Sequence, residues 1–524
     1  MVDFHLDGDN LTVETVFQAA QAWQTPQDFT IHITAEAAAR VNRARAAVEK
    51  FIDRNEVIYG ITTGFGDFKD QIIPLDKVQQ LQSNIVTSHA TGVGPLLTPA
   101  VVRAMMIVRV QTFLKGHSGV RLEVIQTLLA MINRGVYPLV PSQGSLGASG
   151  DLAPLAHVAL VLIGAGEAQY QDEILPGAEA MRRAGIPTVK LEAKEGLALT
   201  NGTALISSFG ALTVYKANLI AESADIIAAL SIEALGGTPM AFDPRLHNAR
   251  PHPGQIASAS RLRALLEGSR LVRGYDPLDI QDAYSLRCTP QVHGAARQTI
   301  TIACQALEIE LNSANDNPLI FFDDAGEAVC ISGGNFHGEP LAIPLDHLKV
   351  GLCEFASISE RRMTRLIDHK TNKDILPAFL TRAGGLNSGF MLVQYTSAAL
   401  VSENKVLAHP ASVDTIPSSA NTEDHVSMGT IAARQAFEIA NNVENVLACE
   451  LFAAAQGIDF RMESHPGGTC GPECLGRGTL AAYQLVRSRV PFIAADTIMY
   501  PHINAVRALI ASGELLAAVR QALS

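Results

Sequence analysis

Four stretches of the chain, residues 203–235, 290–314, 340–370 and 428–457, keep apolar residues at helical spacing over far more than the ~11–12 residues of an average helix. Helices that are apolar on several sides must bury one another. The fold class that follows is mainly α, a long-helix bundle. Composition agrees, because only 18% of the 524 residues are charged while 48% are hydrophobic. Helices with so little charge have ends and faces left to be completed by other subunits.

The part before residue 203 reads differently. Short β-like pieces, Leu11-Thr12-Val13 and Phe29-Thr30-Ile31-His32-Ile33, alternate with polar turns. Thr34 then opens an Ala-rich amphipathic helix reaching about Arg54. Thr98-Pro99 supplies an N-cap and a first-turn proline for a helix that Gly116 ends, and a helix from Arg121 to Asn133 stops at Gly135. Residues 168–199 form a small mixed α/β patch, and a shorter helical tail follows Pro491. Three segments are expected: an N-terminal domain over 1–202 with the small mixed α/β part, a central long-helix bundle over 203–480, and a helical tail over 481–524.

Several function classes are disfavoured. A net charge of −12 without a basic stripe speaks against nucleic acid. The N-terminus has neither the basic start nor the apolar core of a signal peptide. The apolar stretch from Leu152 to Ala165 is too short to span a bilayer, so no membrane partner is expected. Seven cysteines, all beyond residue 287, show no zinc spacing and read as reduced thiols of a cytoplasmic protein. There is no GxxxxGK[ST] and no HExxH, and Gly144, Gly147 and Gly150 are spaced GxxGxxG rather than GxGxxG. Neither a metal nor a nucleotide is expected.

The chemistry concentrates in the turn from Pro138 to Asp151, which holds two prolines and three glycines, with Asp151 placed to cap the following helix. Glycine lacks a Cβ, so the Gly150 nitrogen can approach the Ala148 carbonyl closely. Attack there closes a five-membered ring, and loss of water turns the Ser149 side chain into an exocyclic methylidene. A bare Ala-Ser-Gly is usually only a turn; its setting decides. Gly144-Ser145-Leu146-Gly147-Ala148-Ser149-Gly150-Asp151-Leu152-Ala153-Pro154 is accompanied, in order, by Tyr59-Gly60-Ile61-Thr62-Thr63-Gly64-Phe65-Gly66, Asn201-Gly202-Thr203-Ala204-Leu205 and Gln281-Asp282-Ala283-Tyr284-Ser285-Leu286-Arg287. Asn312-Ser313-Ala314-Asn315-Asp316-Asn317-Pro318, Gly333-Gly334-Asn335-Phe336-His337-Gly338 and Glu423-Asp424-His425 follow.

These motifs resemble those of the aromatic amino acid ammonia-lyase family, the methylidene-imidazolone enzymes, over nearly the whole chain. The resemblance implies an L-aspartase/fumarase-like helical fold, a homotetramer with active sites shared between chains, and an amino acid substrate. It also implies a 4-methylidene-imidazol-5-one electrophile made autocatalytically from Ala148, Ser149 and Gly150, with no external cofactor. By the same resemblance Tyr59 is the general base on a glycine-rich lid, and Tyr284 stands near the electrophile. Asn201 hydrogen-bonds electrophile or substrate, and Arg287 clamps the substrate carboxylate. Gln281, Asn315 and Phe336 fall on further active-site positions.

Ring selectivity falls on Ser88-His89, which resembles the histidine-acting members rather than the His-Leu or Phe-Leu of tyrosine- and phenylalanine-acting ones. Glu423 points the same way, since a polar pair and a carboxylate satisfy an imidazole. The expected reaction is elimination of ammonia from L-histidine to trans-urocanate, a step of histidine catabolism. The alternatives are a tyrosine or phenylalanine ammonia-lyase, an aminomutase with the same electrophile, or a silent scaffold. Two departures from the family pattern, Thr62 for Asn and Thr422 for Gln, bear on fine substrate range.

Overall fold

The computed structural model describes residues 2–465 and 468–524. The four long apolar runs are helices: Ala204–Ala234, Thr289–Glu310, Glu339–Ile367 and Gly429–Glu463. Ala204–Ala234 is long and apolar enough to cross a membrane by composition, a candidate that the earlier stretch Leu152–Ala165 did not suggest. Most of that helix is instead buried within the protein, which is what its near-uniform apolarity requires of a core helix.

The chain forms two compact units. The first contains residues 1–215, 303–346 and 410–434, so the segment that carries Ala148, Ser149 and Gly150 is joined by two later pieces of sequence. All the strands among the described residues lie in this unit. Val2–Leu6 pairs in parallel with Phe29–Ile33, and Val136–Pro138, Glu167–Tyr170 and Glu173–Pro176 make a three-stranded antiparallel sheet. Val93–Leu96 pairs with Pro141–Gln143, and Leu319–Phe322 with Ala328–Ile331. The second unit contains residues 216–302, 347–409 and 435–524 and is helical. Besides the long helices it carries Pro253–Leu265, Met391–Leu407 and Arg477–Arg489, and the tail helices Tyr500–Ala511 and Glu514–Leu523.

Local signals act as sequence chemistry dictates. Thr34 caps Ala35–Asp53 through the Ala37 amide, and Gly135 ends Leu122–Arg134 in the left-handed region at φ 72°. Three expectations change. Leu11-Thr12-Val13 is not a strand: Thr12 accepts from the Thr15 amide and starts the helix Val13–Gln21, and a three-residue β-like run cannot compete with a satisfied cap. Thr98 precedes Pro99–Leu114 without a side-chain cap bond. Asp151 likewise makes no cap bond to Leu152–Leu162.

Its carboxylate caps a different helix. Asp151 Oδ2 accepts from the amides of Leu205 and Ile206 at 2.8 and 3.0 Å, at the start of Ala204–Ala234. The backbone explains the switch. Asp151 N donates to Gly202 O at 2.7 Å and Gly202 N donates to Ser149 O at 3.1 Å, a short parallel bridge that draws the Ser149 turn against the head of the long helix.

Candidate active site

At this bridge the two backbones touch. Gly150 has φ +78°, and a Cβ there would sit 2.1 Å from Gly202 O. Gly202 has φ +130°, and its Cβ would sit 2.6 Å from Arg109 Nη1 and from Asn315 Oδ1. Only glycine fits either place. The buried Ala148 packs with Val426 and Met428 on one side of the turn.

Ser149 faces a cavity of about 1200 Å3 lined by Tyr59, Phe65, Ser88, His89, Asn201, Phe336 and Glu423. Its hydroxyl donates to Glu423 Oε1 at 3.1 Å, and its carbonyl accepts from Asn201 Nδ2 at 3.1 Å as well as from Gly202 N. Asn201 is buried, and its Oδ1 has no hydrogen-bond partner among the described residues. Glu423 is held by Ser418, whose hydroxyl donates to Oε2 at 2.9 Å and whose backbone pairs with that of Glu423 in both directions. Ser418 was not legible in sequence as a partner, since nothing in Pro417-Ser418-Ser419 marks it.

Tyr59 stands on the glycine-rich loop, and its hydroxyl accepts from the Gly66 amide at 3.3 Å. Burial pushes the phenol above its ordinary pKa; the Gly66 amide opposes this and the nearby Glu423 charge adds to it. Burial likewise lowers the His89 imidazole, against smaller upward effects of the Ile85 backbone and Glu423. His89 Nδ1 meets Ser88 Oγ at 3.1 Å. Both residues end the helix Val78–His89, and Leu81, Ile85 and Ser88 line the cavity from one helical face. That spacing is visible in sequence, although Leu81 and Ile85 carry no chemical label to draw attention to them.

Behind the turn, Asp151 Oδ1 accepts from Thr430 Oγ1 at 2.6 Å and from Ser145 Oγ at 3.4 Å. Complete burial still raises its carboxyl to about 6, against the pull of these donors and the two helix amides.

Not every expected site residue lines this cavity. Asn315 is buried behind Gly202, where Oδ1 accepts from Arg109 Nη1 at 3.2 Å and Nδ2 donates to Thr203 Oγ1 at 2.8 Å. Gln281, Tyr284 and Arg287 belong to the second unit. There Tyr284 is 71% exposed, and the Arg287 guanidinium lies 4.7 Å from its ring centroid. Of the two departures, Thr422 lines the cavity, whereas Thr62 is a loop brace: its hydroxyl donates to Glu56 O at 2.7 Å and accepts from Ile58 N. Sequence spacing also gave no hint that His337, Glu339 and His425 bring ligand atoms within 4.8 Å of one another.

Comparison with known proteins fits this geometry. The profile of the family described as aromatic amino acid lyase matches residues 11–488. A histidine ammonia-lyase of Chloroflexus aurantiacus is 55% identical over 98% of this chain and 97% of its own length. Among solved structures, histidine ammonia-lyase from Trypanosoma cruzi is 42% identical with a TM-score of 0.89, covering 99% of this chain and 96% of that one. Tyrosine aminomutase from Streptomyces globisporus is 38% identical with a TM-score of 0.90, covering 99% of each chain. With a family match spanning nine-tenths of the sequence and full-length relatives above half identity, the chain belongs to the aromatic amino acid lyase family.

Proposed function

We propose that the protein removes ammonia from L-histidine to give trans-urocanate, using a 4-methylidene-imidazol-5-one made from its own Ala148, Ser149 and Gly150. The surroundings of Ser149 carry this reading. Ring closure joins the Gly150 nitrogen to the Ala148 carbonyl carbon, with the Ala148 oxygen and the Ser149 hydroxyl leaving as two waters. The left-handed Gly150, in a place that excludes any Cβ, fits that approach. Once formed, the group supplies an electron-poor carbon that captures the substrate amine and makes it a better leaving group. The oxygen it keeps is that of Ser149, and the Asn201 amide and Gly202 N–H aimed at this oxygen draw charge onto it.

The other residues act on the substrate. The free Asn201 Oδ1 is an acceptor for an ammonium group. Glu423, Ser88 and His89 offer polar partners for an imidazole, which a phenyl ring would leave unpaired. Tyr59 takes the β-proton, and so works in its deprotonated form. Arg287, Gln281 and Tyr284 complete the site from a neighbouring chain of a homotetramer. The same segment exposes Leu278, Ile280 and Tyr284, apolar surface that assembly would bury. The names of the relatives support histidine as substrate, and the free cysteines suit the cytoplasm.

The test is near-ultraviolet absorbance after adding L-histidine, L-tyrosine or L-phenylalanine separately to purified protein. Growth with histidine alone is expected. Growth with tyrosine or phenylalanine in its place would refute the assignment of the selectivity pair, and silence with all three would point to an aminomutase.

A further inference from the structure

We infer that His337, Glu339 and His425 form a binding site for a divalent transition-metal ion beside the substrate cavity. Their ligand atoms all lie within 4.8 Å of one another, close enough for one ion to reach all three. Two imidazoles and a carboxylate are a ligand set used for zinc, and one that leaves a coordination position open. Imidazole-rich sites hold cobalt, nickel, copper and zinc in preference to magnesium or calcium.

The hydrogen bonds define the His337 tautomer and leave one carboxylate oxygen without a partner among the described residues. His337 Nε2 lies 3.3 Å from the carbonyl of His425, which can only accept, so Nε2 carries the proton. Nδ1 then carries the lone pair, which accepts from the Glu339 amide at 3.3 Å and would exchange that bond for an ion. A ligating histidine characteristically donates its other N–H to such a carbonyl, which fixes its tautomer and orientation. Glu339, in the first turn of Glu339–Ile367, has a buried Oε2 with no hydrogen-bond partner among the described residues, an atom whose desolvation is otherwise uncompensated. The His425 ring is exposed and stands 5.7 Å from that of His337, centroid to centroid.

Position gives the site a consequence. His337 follows Phe336, and His425 is two residues beyond Glu423, both of which line the cavity. An ion would cross-link the two segments that carry them.

The experiment adds cobalt(II), then zinc(II), to the assembled full-length protein after chelator treatment, and reads visible absorption and bound metal. One cobalt per chain is expected, with ligand-field bands, no thiolate charge-transfer band, and displacement by zinc. His425→Ala and Glu339→Gln should each bind at least about tenfold more weakly, the loss that even a supporting partner of a ligand can cause. Among the described residues the His425 ring makes no hydrogen bond, and Gln keeps the size of Glu339, so at least one variant should retain the circular dichroism of the parent. No saturable uptake at one ion per chain, a thiolate band, or unchanged affinity in both variants would overturn the site. Metal uptake is read without turnover, so it stands or falls separately from the lyase reading.

Discussion

The Ser149 hydroxyl donates to Glu423 Oε1 at 3.1 Å, joining residues 274 positions apart in sequence. One carboxylate therefore meets both Ser149 and the cavity that Tyr59, Ser88 and His89 line. The nearby Glu423 charge also bears on the Tyr59 phenol.

Replacing Ser149 with Ala removes the hydroxyl that must leave and should lower turnover by on the order of 10^3-fold or more. The side chain is small and its hydroxyl donates a single bond, so the thermal midpoint should stay within a few degrees of the parent. Urocanate absorbance and a melting curve on the same sample check both; wild-type turnover would end the electrophile proposal.

Glu423→Gln should reduce kcat/KM for L-histidine about 10–100-fold, the worth of a charge-assisted hydrogen bond of ~1.5–3 kcal/mol. It should also move the pH profile. Tyr59 is raised first by burial and further by Glu423, and it acts as a base, so activity climbs as the phenol loses its proton. Without the carboxylate charge that ascending limb should shift to lower pH. A purely structural role for Glu423 would lower activity and leave the limb where it was.

Gly150→Ala forces a left-handed backbone on an L-residue and drives a methyl to 2.1 Å from Gly202 O. The strain alone is worth ~1–3 kcal/mol. Separation of the 150 and 202 backbones should abolish maturation of the turn. A lower thermal midpoint together with lost activity is expected; a fully active protein would show that the close approach is dispensable.

Asp151 gives a pH-dependent stability with a defined sign. Its carboxyl is raised from 3.8 unfolded to about 6 folded, chiefly by burial. The folded state therefore holds a proton that the unfolded chain releases. This contribution is complete below 3.8 and is lost as pH rises through about 6. Asp151→Asn keeps an acceptor for the Leu205 and Ile206 amides and should flatten the decline in thermal midpoint across that window. An unchanged slope would mean that the carboxylate is not the titrating group.

If sites are shared between chains, two inactive variants should complement. Mixing Ser149→Ala with Arg287→Ala subunits under exchange conditions should restore about a quarter of the sites, from two independent one-in-two draws. No recovery in verified mixed oligomers would place Arg287 outside the shared site.

The sequence by itself determined the long helices, because apolar periodicity over twenty to thirty residues leaves no other way to bury so much surface. Its capping residues Thr34 and Gly135 also act as read, since a cap works through amides only a few positions away. The Ala148-Ser149-Gly150 turn, the Tyr59 loop and the Ser88-His89 pair stand out as short contiguous runs, and Tyr59, Ser88, His89 and Ser149 from them line one cavity. Only the tertiary structure decided which of these runs meet. It set Asp151 on the head of Ala204–Ala234 rather than on its own helix, gave Glu423 to Ser149 and Ser418, and turned Asn315 and Thr62 into braces. It also gathered His337, Glu339 and His425. The physical reason is range: a helix is selected by neighbours within a turn or two, whereas a buried polar atom takes whatever partner the packing brings within about 3 Å.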